Sequence, residues 1–299
     1  MSTIDPDVVQ TTIGETDTPS PSDDRRQGTW GRYARAFRSV KGAVGAGLVL
    51  MIVLISLIAP LLLRFGPYDQ GADGLVGPTG SHLLGTDEVG RDLLARLLAG
   101  TKVDLVITLI AVPISAAVGT VLGLIGMLSR WLGTLFQRIF DVLLGVPAVI
   151  LGVGVAIAIP PGIESVIIAI VMATLPMFGR QAGTALAGQL PLDYVAAAEV
   201  LGYPRRRVMF RHVLPNIVDA VFVRIAVAMA QAITVEGGLS VIGLGIQPPE
   251  PSLGSMIKDG SANLTSVPLY ALAPVMVVVL LVVGYTMISD ALNEAVLRK

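Results

Sequence analysis

Apolar residues gather into six long runs along this 299-residue chain, separated by segments of very different character. The runs cover about residues 42–63, 103–128, 138–159, 165–186, 216–235 and 271–292. Each is close to the ~20 residues that a helix needs to cross a hydrocarbon layer. Pro160-Pro161-Gly162 interrupts the end of the third run. Between the runs lie polar segments at about 64–102 and 237–270, a short loop at 129–137 and a longer one at about 187–215. The pattern predicts an all-α membrane protein with six transmembrane helices.

The stretch before the first run has two parts. Residues 1–28 are rich in Asp, Glu, Ser, Thr and Pro, which reads as a disordered acidic tail. A cleaved signal peptide is not expected, because the first long apolar run begins near Gly42 and the tail is acidic. In residues 29–41, Trp30, Tyr33 and Phe37 recur at helical spacing among Arg32, Arg35, Arg38 and Lys41. That fits a basic amphipathic helix along a membrane surface, or equally a plain basic flank.

Composition sharpens the picture. Hydrophobic residues make up 53% and charged residues 14%, with a mean hydropathy of +0.75; a soluble domain carries roughly 25% charged residues. The net charge of −1 gives no nucleic-acid footprint. Without cysteine there are no disulfides, thiolate metal sites or cysteine nucleophile. His82 and His212 stand far apart, so no His-built metal centre is expected. No Gly-Lys pair occurs, so the chain carries no phosphate-cradling P-loop. Any ATP hydrolysis would belong to a partner.

Basic residues orient the spans. With the N-terminus in the cytoplasm, the inner side holds residues 29–41, Arg130, the arginines of the 187–215 loop, and Arg298 and Lys299. The outer side then holds Arg64, Arg91, Arg96, Lys102 and Lys258. The excess lies inside, and six spans return the C-terminus to the cytoplasm. Arg180 and Arg224, with Asp104, Asp141, Asp219 and Asp290, fall in or near spans, where each marks a helix end or a pairing within the bundle. Gly119-x-x-x-Gly123 permits close helix packing.

The most basic patch of the second half, residues 193–216, reads as two short helices. Asp193 is a candidate cap for the first, and Gly202 suits the left-handed position past its end. Pro204 fits the start of the second, and Pro215 marks its end or the start of another. Ala196, Ala197 and Ala198 leave a nearly bare face on which another protein could pack. An ordinary cytoplasmic loop anchored by Arg205, Arg206, Arg207 and Arg211 explains the same residues. However, Ala197-Ala198-x-x-x-Gly202, then nine residues, then His212-Val-Leu-Pro215, resembles the "EAA" loop of binding-protein-dependent ABC importer permeases. Ala196 stands where the acidic residue that names the motif falls, and His212 where many members have Ile. The resemblance implies a coupling helix that docks on a cytoplasmic ATPase. It assigns that contact to Asp193, Tyr194, Ala196, Ala197, Ala198, Glu199, Leu201, Gly202, Arg205, Arg211 and Pro215.

Two further stretches carry the resemblance. In the first polar segment, His82-x-Leu-Gly85-Thr86-Asp87-x-x-Gly90-Arg91-Asp92 is similar to a signature of the C-type permease subunit of dipeptide, oligopeptide and nickel importers. Physically the segment offers turn and cap chemistry followed by an apolar stripe, Leu93, Leu94, Leu97 and Leu98. A solvated loop leading to a helix that rests on the membrane fits equally. The second stretch begins Glu236-Gly-Gly-Leu-Ser and ends Glu-Pro-Ser-Leu-Gly254, and is similar to another run of that subfamily. Glu236, read as the end of the fifth span, is a candidate for a structural or gating role, unless it simply reaches the outer interface. His82, Gly85, Thr86, Asp87, Gly90, Arg91, Asp92 and Glu236 are therefore the candidates for the external face and gate.

Together the motifs imply a permease of the type I ABC importer fold that takes up di- or oligopeptides. Relatives also move nickel chelates, glutathione and haem. The implied partners are a second homologous permease chain, two cytoplasmic ATPase subunits or domains that bind ATP and Mg, an extracytoplasmic substrate-binding protein and a lipid membrane. No nucleic acid, metal or cofactor of its own is expected. The alternative is a stand-alone secondary transporter or channel, which would show ion-coupled flux and no bound ATPase. A membrane enzyme lacks a convergent catalytic set here.

Overall fold

The structure is a computed structural model and describes residues 29–297. The acidic tail expected over 1–28 lies outside those residues, as do Arg298 and Lys299. Among the described residues there is no strand, only an isolated bridge between Thr86 and Asp92. The basic segment forms α1 (Thr29–Arg38), and the chain turns at Ser39 into α2 (Val40–Ile58). The Ser39 hydroxyl accepts the Gly42 N–H at 3.1 Å, which satisfies one open donor of the first turn of α2. α1 packs onto the bundle: Ala36 is buried beside Ala291 and Leu292, and the Tyr33 hydroxyl donates to Asp219 at 2.6 Å. α2 is apolar on all sides, yet only 17% of its most apolar window is buried by the rest of the chain. That exposed apolar surface is what a lipid-facing helix requires.

The second helix, α3, runs over Leu93–Leu124 and starts ten residues before the expected 103. Leu93, Leu97 and Leu98 are core residues, so this stripe packs inside the bundle and does not rest on a membrane. The expected single span over 138–159 is two helices, α4 (Arg130–Gly145) and α5 (Ala148–Ala158), which meet at an angle of 100°. The break falls at Val146-Pro147. Proline pushes the residue before it out of the helical region, and Val146 sits at φ −99°, ψ 129°.

Next come α6 (Ile163–Gln189), the short α7 (Asp193–Val200) and α8 (Arg205–Val208), and α9 (Leu214–Val241). The fifth span therefore continues past the expected end at 235. α10 (Leu253–Ala262) folds back against the bundle inside the second polar segment, and α11 (Leu269–Leu297) closes it.

Five of these helices are long and apolar enough to cross a membrane, taking α8, the turn after it and α9 as one. The bent pair is the sixth, as the direction of α3 and α6 requires. Thr174 donates to Ser115 at 2.8 Å, Gly119 abuts Leu175 and Phe178, and Gly123 abuts Gly179 and Ala182. Both helices thus advance together and run the same way. The chain between them, α4 with α5, must recross the bundle.

A side chain on Gly119 or Gly123 would collide with the backbone carbonyl of Leu175 or Gly179. The two glycines therefore set the distance between α3 and α6, as small-residue spacing does in membrane helix pairs. Gly123→Val is expected to destabilise the chain by about 1–3 kcal/mol through overpacking. Gly47→Val, on the open face of α2 where an added carbon meets nothing, is expected to stay within about 0.5 kcal/mol. Thermal melting of the two purified variants in lipid nanodiscs checks the contrast.

Candidate functional site

The 193–216 stretch forms a compact elbow at one end of the bundle. α7 ends in a Schellman motif: Tyr203 N–H donates to Ala198 C=O at 3.2 Å and Gly202 N–H to Glu199 C=O at 2.9 Å. Gly202 sits at φ +75°, and an added carbon there would meet nothing within 4 Å. The backbone angle alone calls for glycine at this position. Leu192, not Asp193, occupies the N-cap, so Asp193 is the first helical residue and its charge faces the positive end of the helix.

Pro204 is the N-cap of α8. Pro215 neither ends a helix nor starts a separate one. A π-helical turn over Met209–Val213 joins α8 to α9, and Leu214 N–H reaches back to Met209 C=O. The wider turn makes room for the proline ring, which would clash with a regular α-helical backbone. From Arg205 to Val241 the chain is one 37-residue helix.

The elbow has an inner and an outer face. Val195, Ala198, Val208, Met209, Val213 and Ile217 pack with Leu124, Ala182 and Leu186. Ala198 therefore faces inward, and the bare surface expected of three alanines belongs to Ala196 and Ala197 only. The expected Leu201 lies on the outer face at 73% exposure, and that face adds residues that sequence reasoning passed over: Val200 at 87%, Tyr203 and Phe210. Glu199, Arg205, Arg206, Arg207, Arg211 and Pro215 are also exposed around them. Arg207 lies over the Tyr203 ring at 5.4 Å, and the Tyr194 hydroxyl donates to Gln189 at 2.7 Å. The elbow thus carries an exposed apolar strip ringed by arginines.

The first polar segment is built inward. Asp87 is fully buried, and its Oδ1 accepts the N–H groups of Val89 at 3.0 Å and Arg91 at 2.9 Å. Its Oδ2 pairs with Arg91 Nε at 2.6 Å and Arg96 Nε at 3.4 Å. Asp92 caps α3 by accepting from Ala95 N–H at 2.8 Å, and its second oxygen meets His82 Nδ1 at 2.9 Å. His82 stacks on Phe65 with ring centres 4.6 Å apart. The Thr86 hydroxyl accepts from Val76 N–H at 3.0 Å. Gly85 and Gly90 take φ of +93° and +77°, each pressed against another strand of the loop. These eleven residues thus knit the loop to the start of α3. Glu88, Val89 and Leu83 are the members turned outward.

Glu236 does not reach an interface. It is buried inside α9, where its Oε1 accepts from the Ser240 hydroxyl at 2.7 Å. Asp141 and Arg180 form a loose exposed pair at 3.8 Å. A cavity of about 570 Å3 opens at the α4–α5 bend and is walled by α6, α9 and α11. Its lining is mostly apolar, with Thr174, Gln231, Thr234, Thr286, Ser289 and Asp290 among the polar groups. No pattern in the chain signals this cavity, because its wall is assembled from four separate stretches.

Residues 115–299 match the model of the family described as binding-protein-dependent transport system inner membrane component. The chain belongs to this family. It is 32% identical over 269 residues to the dipeptide transport system permease protein DppC of Alkalihalophilus pseudofirmus, covering 88% of each chain. It is 34% identical over 272 residues to the di/tripeptide transport system permease protein DppC of Pseudomonas aeruginosa, covering 88% of this chain and 90% of that one. Identity to the glutathione transport system permease protein GsiD of Pectobacterium atrosepticum is 32% over 275 residues, covering 89% and 90%. The protein is thus a multi-pass inner-membrane transport permease, as the six spans require.

Membership gives the buried Asp87 knot a structural role that can be measured. Asp87→Ala removes both arginine partners' counter-charge and leaves Arg96 in the interior. It is expected to destabilise the permease by about 3–5 kcal/mol. Thermal melting, with the amount of protein recovered from membranes, checks the loss.

Proposed function

We propose that this chain is one of two permease subunits of an ATP-driven importer for di- and oligopeptides. The observation that carries the reading is the elbow at residues 193–216: a short, rigidly closed helix with an exposed apolar strip, joined to a 37-residue helix that crosses the bundle. A surface that must pass on force without doing chemistry needs stiffness and a fixed angle. The Schellman closure at Gly202 and the continuous helix supply both.

In this reading the elbow lies in the cytoplasm with the two chain ends, in keeping with the excess of basic residues on that side. Two ATPase subunits or domains bind ATP and Mg and close against Ala196, Ala197, Glu199, Val200, Leu201 and the arginines. A substrate-binding protein delivers peptide to the opposite face, at the shelf that ends in Glu88 and Val89. A second, related permease completes the pathway, and the cavity at the α4–α5 bend forms part of its wall. Apart from the Asp290 carboxyl group, the polar lining consists of neutral hydroxyls and one amide, which suit a cargo whose constant feature is its backbone, since they bond peptide groups whatever the side chains. Dipeptide, di/tripeptide and glutathione permeases among the relatives support that cargo class.

Gly202→Pro tests the coupling role. Proline cannot adopt φ +75° and has no N–H to give Glu199 C=O. The variant is expected to insert and pair with the second permease normally, while ATP-driven peptide uptake in proteoliposomes falls to background. Uptake at the parent rate would overturn the coupling role. Gln231→Leu is expected to lower uptake while leaving the complex and its peptide-independent ATP hydrolysis intact. Mild-detergent purification followed by mass spectrometry decides the wider reading. Recovery of a second six-span permease and one or two ATPases supports the importer. A chain that purifies alone, with ion-driven flux in liposomes, supports a secondary transporter.

A further inference from the structure

An apolar groove opens on the side of the bundle between α2 and α3, apart from the elbow and the main cavity. It arises from the way α2 is seated. The first half of α2 is rich in small residues, and Gly45 lies so close to α11 that a side chain there would collide with the Gly284 carbonyl. Small residues let two helices approach backbone to backbone. From Leu48 onward α2 carries large side chains, which hold it off its neighbours. The gap that remains is a groove of about 230 Å3.

Its walls are two helical stripes. Val53 and Leu57 come from α2; Leu105, Val106 and Leu109 come from α3, three and four residues apart. Leu57, Val106 and Leu109 form an exposed rim, whereas Met229 of α9 and Tyr285 of α11 are buried and make the floor. A groove of this kind is open to the hydrocarbon around the bundle.

Two polar groups break the apolar lining. Lys102 lies one turn before Leu105 and Val106, is exposed, and forms no ion pair or hydrogen bond among the described residues. Tyr285 is only 8% exposed, yet its hydroxyl has no hydrogen-bond partner among the described residues. Ser56, by contrast, is satisfied within its own helix, donating to Val53 C=O at 2.9 Å. An ammonium without an anion and a hydroxyl without a partner are both unfavourable beside hydrocarbon. Water answers the lysine but not the leucine and valine walls. A bare alkyl chain answers the walls alone. A glycerophospholipid brings a phosphate, an ester carbonyl and a chain in one molecule.

We propose that this groove is a binding site for one acidic glycerophospholipid. Its phosphate sits on Lys102, an ester carbonyl accepts from the Tyr285 hydroxyl, and an acyl chain lies along Leu57, Val106 and Leu109 over Met229. The preference is for an acidic headgroup because Lys102 has no counter-charge of its own. A zwitterionic headgroup carries a cation that competes with Lys102 for the phosphate. The bound lipid ties the second half of α2 to α3, where the chain's own side chains leave the two apart. The site is independent of the cargo and of the coupling role of the elbow.

The test uses the full chain, with whatever chains accompany it from its native membrane, in nanodiscs of phosphatidylcholine. Two photoreactive lipids are added in turn at the same low level, each with a diazirine in its acyl chain. One has a phosphatidylglycerol headgroup and the other a phosphatidylcholine headgroup. Adducts are mapped by mass spectrometry. At residues 103–110 the acidic probe should give several-fold more adduct than the neutral one. At residues 272–279, exposed elsewhere on α11, the two should label equally. Excess unlabelled phosphatidylglycerol should remove the difference at 103–110.

Lys102→Gln should erase the headgroup preference. Tyr285→Phe keeps the ring and should lower the yield from both probes. Lys258→Gln, which removes an exposed lysine on α10 away from the groove, should change neither. Equal labelling of 103–110 by the two probes overturns the proposal and leaves Lys102 as a side chain that reaches water. A preference that survives in Lys102→Gln overturns it as well. So does the absence of any adduct at 103–110, in which case the groove is filled by protein. The comparison of the two probes on the parent decides the matter even where a variant fails to assemble.

Discussion

Hydrocarbon offers no hydrogen-bond partner to a backbone, and every departure from helix in this chain is shaped by that constraint. Several of the places where a helix stops or bends have a specific repair. Asp92 and Ser252 cap α3 and α10 with side-chain oxygens. The carbonyls at the end of α7 are closed by the turn through Gly202. At Pro215 the ladder shifts to a π turn, which keeps the helix continuous across a residue that has no N–H. The bend at Val146-Pro147 is different in kind: it opens the side of the bundle, and the main cavity lies there. Irregular backbone at such depth is tolerated where it lines a cavity or lies within protein, and the bend lines one.

The number of spans was readable from the apolar runs, but the break inside the third run, the short α10 and the ends of the helices were not. α3 was cut short because Arg96 and Lys102 look like solvated charges in sequence. In the fold Arg96 answers Asp87, and Asp104 receives an N–H from α10. Likewise Glu236 appeared to close a span that in fact runs on to Val241. A polar residue ends a membrane helix only when it meets water, and a single chain pattern does not say which charges are answered inside. The same limit hid the cavity. Gln231, Thr286 and Ser289 are unremarkable in their own stretches and matter only because distant helices bring them together.

Motif residues were legible as a set, less so as individuals. The stretch from His82 to Asp92 is specific, yet most of its side chains bind one another and cap α3, leaving Glu88, Val89 and Leu83 for contact. In the elbow the alternation of inward and outward residues split the three alanines. A helix of eight residues packed on one side turns only one face inward, and Val195 and Ala198, three positions apart, form that inner row. What a motif marks here is a shape of backbone, and the exposed apolar surface is made largely by neighbours such as Val200 and Phe210.

The longest continuous element connects these features. At about 1.5 Å per residue, the helix from Arg205 to Val241 spans roughly 55 Å, enough to reach from the arginine-ringed elbow past the buried Glu236. Its one irregular turn, Met209–Val213, lies within the elbow, where Leu124, Leu186 and Ile217 pack against it. Beyond that turn the helix is regular, and small residues hold it close to its neighbours: Ala226, Ala228, Ala230 and Ala232 are all buried. A regular helix in a close-packed setting moves as a body, because bending it would cost hydrogen bonds that lipid cannot replace. The helix thus runs as one stiff body past the cavity, whose wall it shares with α6, α11 and the α4–α5 bend.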